Sequence, residues 1–227
     1  MKNIFKKLIP DSFKQEIKIR FGAPHMYWSI KNLKNNGLAA ANILDIGAYK
    51  GEWTFDVLKI FPDARYLLLE ANPEREGDLA KFVNNNKKSK IQYEISLLAS
   101  NTGDEKKFYV MDTASSVLEE HNTPINIESI VSLKTKRLED ICFKNNFNKV
   151  DLIKLDVQGY ELEILKGGPD ILRNAEAVLM EVSLIDIHKD VPLIREVINF
   201  MYDFEFVVYD ICSVAARRPL CRCLRSI

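Results

Sequence analysis

Cysteine is scarce in this 227-residue chain, which contains four: Cys142, Cys212, Cys221 and Cys223. None of them belongs to a Cys-x-x-Cys pair of the kind that binds a metal, and a chain of this length does not need disulfides to hold its core together. We therefore expect no metal site and reduced thiols, as in a cytoplasmic protein.

Histidine is equally rare, with three residues at positions 25, 121 and 188 that lie far apart in the sequence. They form no His-x-x-His or Glu-x-x-His pattern, and no serine stands in a nucleophile elbow. Metal-assisted hydrolysis and triad catalysis are therefore not predicted. His188 follows a predicted strand and is the one histidine worth testing as a base, although a solvated loop residue is the alternative interpretation.

Long apolar runs are absent, since no segment approaches the ~18 apolar residues that span a bilayer, and residues 1–10 lack the apolar core of a signal peptide. Residues 3–20 mix apolar and basic side chains, which indicates a helical cap packed on the core or, alternatively, a helix on a membrane surface. Because lasting attachment usually needs a second signal, we expect no stable membrane anchor.

The chain also lacks net charge, with 32 basic and 32 acidic residues. No global field attracts nucleic acid or an anionic membrane, so a small or neutral substrate is the more natural partner. The length and the 47% hydrophobic content are sufficient for one sizeable core. We expect a helical cap over residues 1–37, one main domain over 38–218 and an atypical tail over 219–227.

Strand and helix patterns alternate through most of the chain, which predicts an α/β fold: a mostly parallel sheet with right-handed crossovers and helices on both faces. The predicted strands are 42–46, 65–70, 91–98, 106–111, 151–156, 177–182 and 204–209, and predicted helices include 26–35, 52–60, 73–84 and 192–201. Ligands of such folds bind at the carboxyl ends of the strands.

A glycine turn follows the first predicted strand, with Asp45, Gly47 and Gly51 in the spacing Asp-x-Gly-x-x-x-Gly. The three-glycine dinucleotide fingerprint and the Gly-Lys-Ser/Thr of a P-loop are both absent. A nucleoside without a pyrophosphate fits better, and Glu70, at the end of the next predicted strand, stands where an acid binds the ribose hydroxyls. The alternatives are a polar strand end or cap for Asp45 and a surface acid for Glu70.

Two further candidates for this site are open to other interpretations. Asn72 precedes Pro73 and is equally compatible with an ordinary turn. Leu98 could pack against an adenine ring or simply fill the core.

These motifs resemble those of S-adenosylmethionine-dependent methyltransferases, and more narrowly of the FkbM family, over roughly residues 40–218. The resemblance lies in Asp45-Ile-Gly-Ala-Tyr-Lys-Gly51, Glu70-Ala-Asn-Pro73, Lys154-Leu-Asp-Val-Gln-Gly-Tyr-Glu161 with Gly167, and Met180-Glu-Val-Ser183. It implies a Rossmann-like class I fold with S-adenosylmethionine bound by Asp45, Gly47, Gly51, Glu70, Asn72 and Leu98. The implied acceptor is a small hydroxylated molecule, such as a glycan, another sugar or a secondary metabolite.

Asp156 is the candidate catalytic residue, because it ends the strand 151–156 and shares one side of that strand with Lys154. Methyl transfer to a hydroxyl needs aligned reactants and a base for the proton. A structural pair with Lys154, or a helix cap, is the alternative. Glu161 and Glu163 suit the first turn of a helix, and Glu181 faces the acceptor or makes a structural hydrogen bond.

Two segments depart from the regular pattern. Residues 112–142 are irregular, and the resemblance implies that this segment covers the acceptor pocket and selects the substrate. Residues 221–227 carry two arginines and no β-branched run, so we expect the family's seventh strand to be missing or incomplete. This abnormal end supports an alternative function, a catalytically silent cofactor- or partner-binding module; a nicotinamide-dependent oxidoreductase is a further alternative that the missing fingerprint disfavours.

Overall fold

The computed structural model describes residues 25–110, 115–118, 130–184 and 190–213. Helix α1 (Met26–Asn35) has the bounds that the sequence predicts, and it belongs with residues 208–213 to one compact unit. Within this unit the Ser29 hydroxyl donates to Asp210 over 2.6 Å. Gly37–Val207 forms the second unit, which holds all the predicted site residues.

The second unit alternates strands and helices. In chain order its elements are β1 (Asn42–Ile46), α2 (Glu52–Val57), β2 (Arg65–Glu70), a 3-10 helix (Pro73–Arg75), α3 (Glu76–Asn85), β3 (Lys90–Ile95), β4 (Leu97–Leu98), β5 (Glu105–Tyr109), β6 (Ile130–Lys136), α4 (Leu138–Lys144), β7 (Leu152–Leu155), α5 (Glu161–Lys166), α6 (Pro169–Arg173), β8 (Ala177–Met180) and α7 (Ile194–Tyr202). No helix among these or elsewhere in the described chain is long and apolar enough to cross a membrane.

Five strands of the described chain form the central sheet, in the order β3-β2-β1-β7-β8, and all neighbours run parallel. The inner strands β1, β2 and β7 are apolar along most of their length because the sheet is covered on both sides, as the full burial of Leu44, Leu67 and Ile153 reflects. The mostly parallel sheet that the sequence predicts is therefore confirmed. Its carboxyl ends bring Asp45, Glu70 and Asp156 to one edge.

The predicted strand 91–98 is wrong in its extent, because the chain changes sheets at Ser96. β3 ends at Ile95, and Leu97–Leu98 forms β4 of a separate sheet with the order β4-β6-β5. β6 pairs parallel with β4 and antiparallel with β5. The sequence interpretation missed β6, since it treated 112–142 as irregular; residues 119–129 of that segment lie outside the described chain.

The predicted sixth strand, 204–209, is also wrong. The Phe206 N–H donates to the Met201 carbonyl and Glu205 has φ of 66°, so these residues close the end of α7. Phe204 and Phe206 pack against the core without any strand pairing, whereas Val207, Val208 and Tyr209 are exposed. β8 consequently has no outer neighbour among the described residues. The tail 219–227, where the sequence predicts that the family's seventh strand is missing or incomplete, lies outside the described residues.

Candidate functional site

The glycine turn after β1 is a tight left-handed loop. Gly47, Tyr49 and Gly51 have φ values of 73°, 51° and 83°. The N–H groups of Gly47 and Ala48 both donate to the Leu69 carbonyl, over 2.8 and 3.1 Å. The turn is therefore tied to the carboxyl end of β2, directly before Glu70.

Both glycines are required by contacts inside the protein. A Cβ at Gly47 would lie 2.0 Å from the carbonyl oxygen of Asp156, and one at Gly51 would lie 2.7 Å from the Phe82 ring. The sequence interpretation attributed these glycines to close approach of a ligand. The structure shows that they also allow close approach of β7 and α3, and their role in cofactor binding stays a prediction.

Asp45 stabilises the glycine turn through buried contacts with Thr54 and Lys154. Its side chain is fully buried; one oxygen accepts from the Thr54 hydroxyl over 2.7 Å and the other lies 3.0 Å from Lys154 Nζ. Lys154 also donates to the Gly47 carbonyl over 2.7 Å. A buried charge needs such a partner, so Asp45 and Lys154 together hold the first motif against β7.

Glu70 presents the carboxylate expected to bind ribose. It is 8% exposed, and its two oxygens accept from the N–H groups of Tyr49 and Asn72, each over 2.8 Å. Burial raises the pKa of Glu70, while these two hydrogen bonds oppose that rise. Each carboxylate oxygen has a second lone pair, so Glu70 can also accept hydroxyl groups of a ligand.

Asn72 and Leu98 have clear structural roles. The Asn72 side chain is 1% exposed, and its oxygen caps the following 3-10 helix by accepting from the Glu74 N–H over 3.0 Å. Leu98 is 2% exposed and belongs to the hydrophobic core. Asn72 therefore stabilises a turn and Leu98 fills the core, and the contact of either residue with a cofactor stays a prediction.

Ser96 is a site candidate that the sequence interpretation missed. It follows β3, its N–H donates to the Glu70 carbonyl over 2.8 Å, and it is 8% exposed. Within the described chain its hydroxyl has no hydrogen-bond partner. Leaving such a group unpaired costs about 1–3 kcal/mol, so a polar ligand atom would be favourable here. The sequence feature that could have identified Ser96 is its position as a polar residue between the apolar residues Ile95 and Leu97.

Asp156 is exposed at the same edge of the sheet. Its N–H donates to the Ile46 carbonyl over 3.1 Å, while 49% of its side chain is accessible. Lys154 Nζ is 3.9 Å from Asp156 but 3.0 Å from Asp45, so the proposed structural pair is mainly with Asp45. The helix-cap alternative is wrong, because the N-cap of α5 is Tyr160 and receives no side-chain cap.

Three more polar side chains lie beside Asp156. The Gln158 amide nitrogen donates to Asp156 over 3.2 Å and to Glu181 over 2.8 Å. Glu161 is 4% exposed and accepts from the N–H groups of Val157 and Gly159. Burial raises the pKa of Glu161 to about 7. From the sequence, Glu161 was expected only to interact favourably with the helix dipole. Its hydrogen bonds to the preceding loop depend on the tertiary structure.

His121 and His188 lie outside the described residues. In the described part of the chain, no three or more His, Cys, Asp or Glu side chains are grouped so as to hold a metal ion.

A parallel sheet with a glycine turn after its first strand and a buried acid at the end of its second defines a Rossmann-like α/β fold. The sequence model described as the methyltransferase FkbM domain matches residues 45–208. This chain belongs to the FkbM methyltransferase family, as its motifs suggest.

Individual relatives are distant. The chain is 25% identical over 182 residues to the 2-O-methyltransferase NoeI of Sinorhizobium fredii (strain NBRC 101917 / NGR234), covering 73% of this chain and 72% of that protein. It is similar to methyltransferase FkbM from Methylobacillus flagellatus KT, with 15% identity and a TM-score of 0.45, over 63% of this chain but only 33% of that one. It is also similar to precorrin-6y C5,15-methyltransferase from Geobacter metallireducens GS-15, with 13% identity and a TM-score of 0.45, over 79% and 72%.

Proposed function

We propose that this protein is an S-adenosylmethionine-dependent O-methyltransferase that modifies a hydroxyl group of a sugar or another hydroxylated metabolite. The observation that carries the proposal is the meeting of three features at one sheet edge. These are the glycine turn held by Asp45, the buried carboxylate of Glu70 and the accessible carboxylate of Asp156. Membership of the FkbM family supports methyl transfer as the reaction.

The residues around Glu70 fit the nucleoside part of this cofactor. Glu70 has lone pairs for the ribose hydroxyls, and the unpartnered hydroxyl of Ser96 is a neighbouring hydrogen-bonding group. Gly47 and Gly51 would form the rest of the site, with Asn72 fixing the loop after β2 and Leu98 forming apolar packing behind it. When bound, the cofactor supplies an electrophilic methyl group.

Asp156 would act on the acceptor. Since its side chain is half accessible and lies at the carboxyl end of β7, an acceptor hydroxyl can reach it from solvent. Asp156 orients that hydroxyl and takes its proton as the oxygen is methylated.

A hydroxyl oxygen is the favoured acceptor atom because the relative NoeI is described as a 2-O-methyltransferase. The test is transfer of a radiolabelled methyl group from S-adenosylmethionine to a panel of monosaccharides, nucleotide sugars and oligosaccharides. Labelled product that disappears in Asp156→Asn supports the assignment, with a fall of roughly 10²–10⁴-fold expected for loss of a general base. Cofactor binding without transfer to any acceptor would instead favour the silent binding module.

Cofactor binding is tested separately by calorimetry. Glu70→Ala should weaken S-adenosylmethionine binding by about 1–3 kcal/mol, because ligand hydroxyls lose their acceptor. Glu76→Ala is the matched control, since Glu76 is an exposed acid on the same segment. Wild-type affinity in Glu70→Ala would contradict the ribose role.

A further inference from the structure

Gln158 connects two carboxylates that lie at the ends of neighbouring strands. Its amide nitrogen is 3.2 Å from Asp156 Oδ1 and 2.8 Å from Glu181 Oε2. Glu181 directly follows β8, and its N–H donates to the Leu155 carbonyl over 3.1 Å. Because ionised carboxylates only accept hydrogen bonds, the amide NH₂, which has two hydrogens, is the group that can serve both at once.

The backbone keeps Gln158 in this position at an energetic cost. Gln158 has φ of 57°, a left-handed conformation that a non-glycine residue adopts only where its surroundings impose it. Those surroundings are the buried carboxylate of Glu161, which accepts from the N–H groups of Val157 and Gly159, and the Ser116 hydroxyl, which donates to the Gln158 carbonyl over 3.3 Å. The loop 157–159 is thus held from both sides.

We propose that Gln158 is a positioning residue for methyl transfer, whose bridging amide aligns Asp156 and Glu181 toward the acceptor hydroxyl. This inference rests on the proposed function. In that reaction the acceptor oxygen bonds to the methyl carbon while the carbon–sulfur bond breaks and its electron pair goes to sulfur. The hydroxyl proton passes to Asp156 and then to solvent.

Electrostatics explain why an amide is suited to this position. Two nearby carboxylates raise each other's affinity for protons, whereas an N–H donated to each one favours the ionised form. Lys154 Nζ is a cation 3.9 Å from Asp156. Glu161 is a further ionisable group at this loop, and burial, together with a smaller contribution from the charge of Glu181, raises its pKa to about 7.

Gln158→Glu is the sharpest test, because it preserves shape while it replaces a donor with a third acid. The acid limb of the pH profile of kcat/KM should move upward by about one pH unit, since the three carboxylates then compete for protons. S-adenosylmethionine affinity should stay at the wild-type value, because Gln158 bonds to neither Asp45 nor Glu70. Gln92→Glu, on an exposed position of β3, is the matched control and should leave the profile unchanged.

Gln158→Gly distinguishes positioning from loop stability. Glycine removes the amide but relieves the positive φ, so the loop is not strained by the change. We expect kcat to fall roughly 10- to 100-fold through misplacement of Asp156, with little change in cofactor affinity. Combining it with Glu181→Gln should cost less than the sum of the two single effects, because both remove the same bridge.

The outcomes separate the two proposals. Wild-type transfer with an unshifted pH profile in Gln158→Glu, or with full kcat in Gln158→Gly, overturns the role of Gln158 and leaves the proposed function standing. Parallel loss of cofactor affinity and kcat marks Gln158 as structural and overturns the inference as well. Absence of methyl transfer by the wild type overturns the proposed function, and the inference with it.

Discussion

Lys154 contacts both the glycine turn after β1 and the candidate base Asp156. Its side chain is 7% exposed, and its ammonium group lies 3.0 Å from the fully buried carboxylate of Asp45 and donates to the Gly47 carbonyl. The same group is 3.9 Å from Asp156. A single side chain therefore links the glycine turn of the cofactor motif to the candidate base.

Lys154→Met tests this link through stability. The substitution leaves Asp45 buried without a counter-charge, which should lower the free energy of unfolding by about 3–5 kcal/mol. Denaturant unfolding provides the measurement. The control is Lys149→Met, because Lys149 is 70% exposed and 3.6 Å from its acid partner; its loss should cost under about 1 kcal/mol. Equal effects of the two substitutions would contradict the structural role of Lys154.

Glu161 should give the protein a pH-dependent stability. Burial raises its pKa from the ordinary value of 4.5 to about 7, so between these pH values the folded state binds more protons than the unfolded state. Stability contributed by the protonated form is complete below pH 4.5 and is lost as the pH rises to about 7. Glu161→Gln, which keeps the accepting oxygen, should remove this loss and be more stable than wild type at pH 8 by roughly 3 kcal/mol.

Unfolding curves of Glu161→Gln and wild type at pH 5 and pH 8 would check this prediction. Glu163 is the matched control on the same helix, since a hydrogen bond from Lys166 lowers its pKa. Glu163→Gln should therefore lower the free energy of unfolding, because it removes a negative charge that Lys166 stabilises. A Glu161→Gln variant that loses stability equally at both pH values would show that the carboxyl acts only as a hydrogen-bond acceptor.

At the scale of elements, the site depends on how closely β1 and β7 approach. Gly47→Ala would place a methyl group 2.0 Å from the Asp156 carbonyl, so the end of β7 must move. Gly103→Ala is a suitable control, because Gly103 also has positive φ, at 95°, but a Cβ there meets nothing within 4 Å. Gly47→Ala should cost about 1–3 kcal/mol more than the control in unfolding experiments. Equal costs would mean that only the backbone conformation matters.

The edge strand β8 tests the expectation of an incomplete sheet. The N–H groups of Ala177 and Glu181 donate to β7, so by strand alternation the N–H groups of Val178 and Met180 point away from it. If no further strand pairs here, these two amides should exchange with solvent faster than the amide of Leu179. Hydrogen exchange followed by NMR is the measurement. Equal protection of all three would show that another segment completes the sheet.

At the scale of the whole molecule, S-adenosylmethionine should stabilise the unit Gly37–Val207, which holds the proposed site, against unfolding. A ligand that binds only the folded state adds about 2.7 kcal/mol to stability at a concentration 100 times its Kd. S-adenosylmethionine should therefore raise Tm, whereas NAD should not, because the three-glycine pyrophosphate motif is absent. Thermal unfolding with each compound gives the comparison. Stabilisation by NAD alone would favour the oxidoreductase alternative.

Much of this architecture was predictable because its determinants are local. Period-two and period-3.6 patterns indicated the strands β1, β2 and β7 and the helix Met26–Asn35. In a parallel sheet, residues at or just beyond the carboxyl ends of such strands meet at one edge. The sequence could therefore place Asp45, Glu70 and Asp156 at the same edge, and their function as a common site stays a prediction.

The tertiary structure decided which groups these residues contact. Phe204 and Phe206 pack against the core here, and their spacing is equally compatible with a strand. Gly47 meets the carbonyl of Asp156, 109 positions away, and the Gln158 amide meets Glu181, which follows another strand. A local period specifies which face of an element is buried, but it contains no information about which distant group lies opposite. That pairing is determined only when the segments pack together.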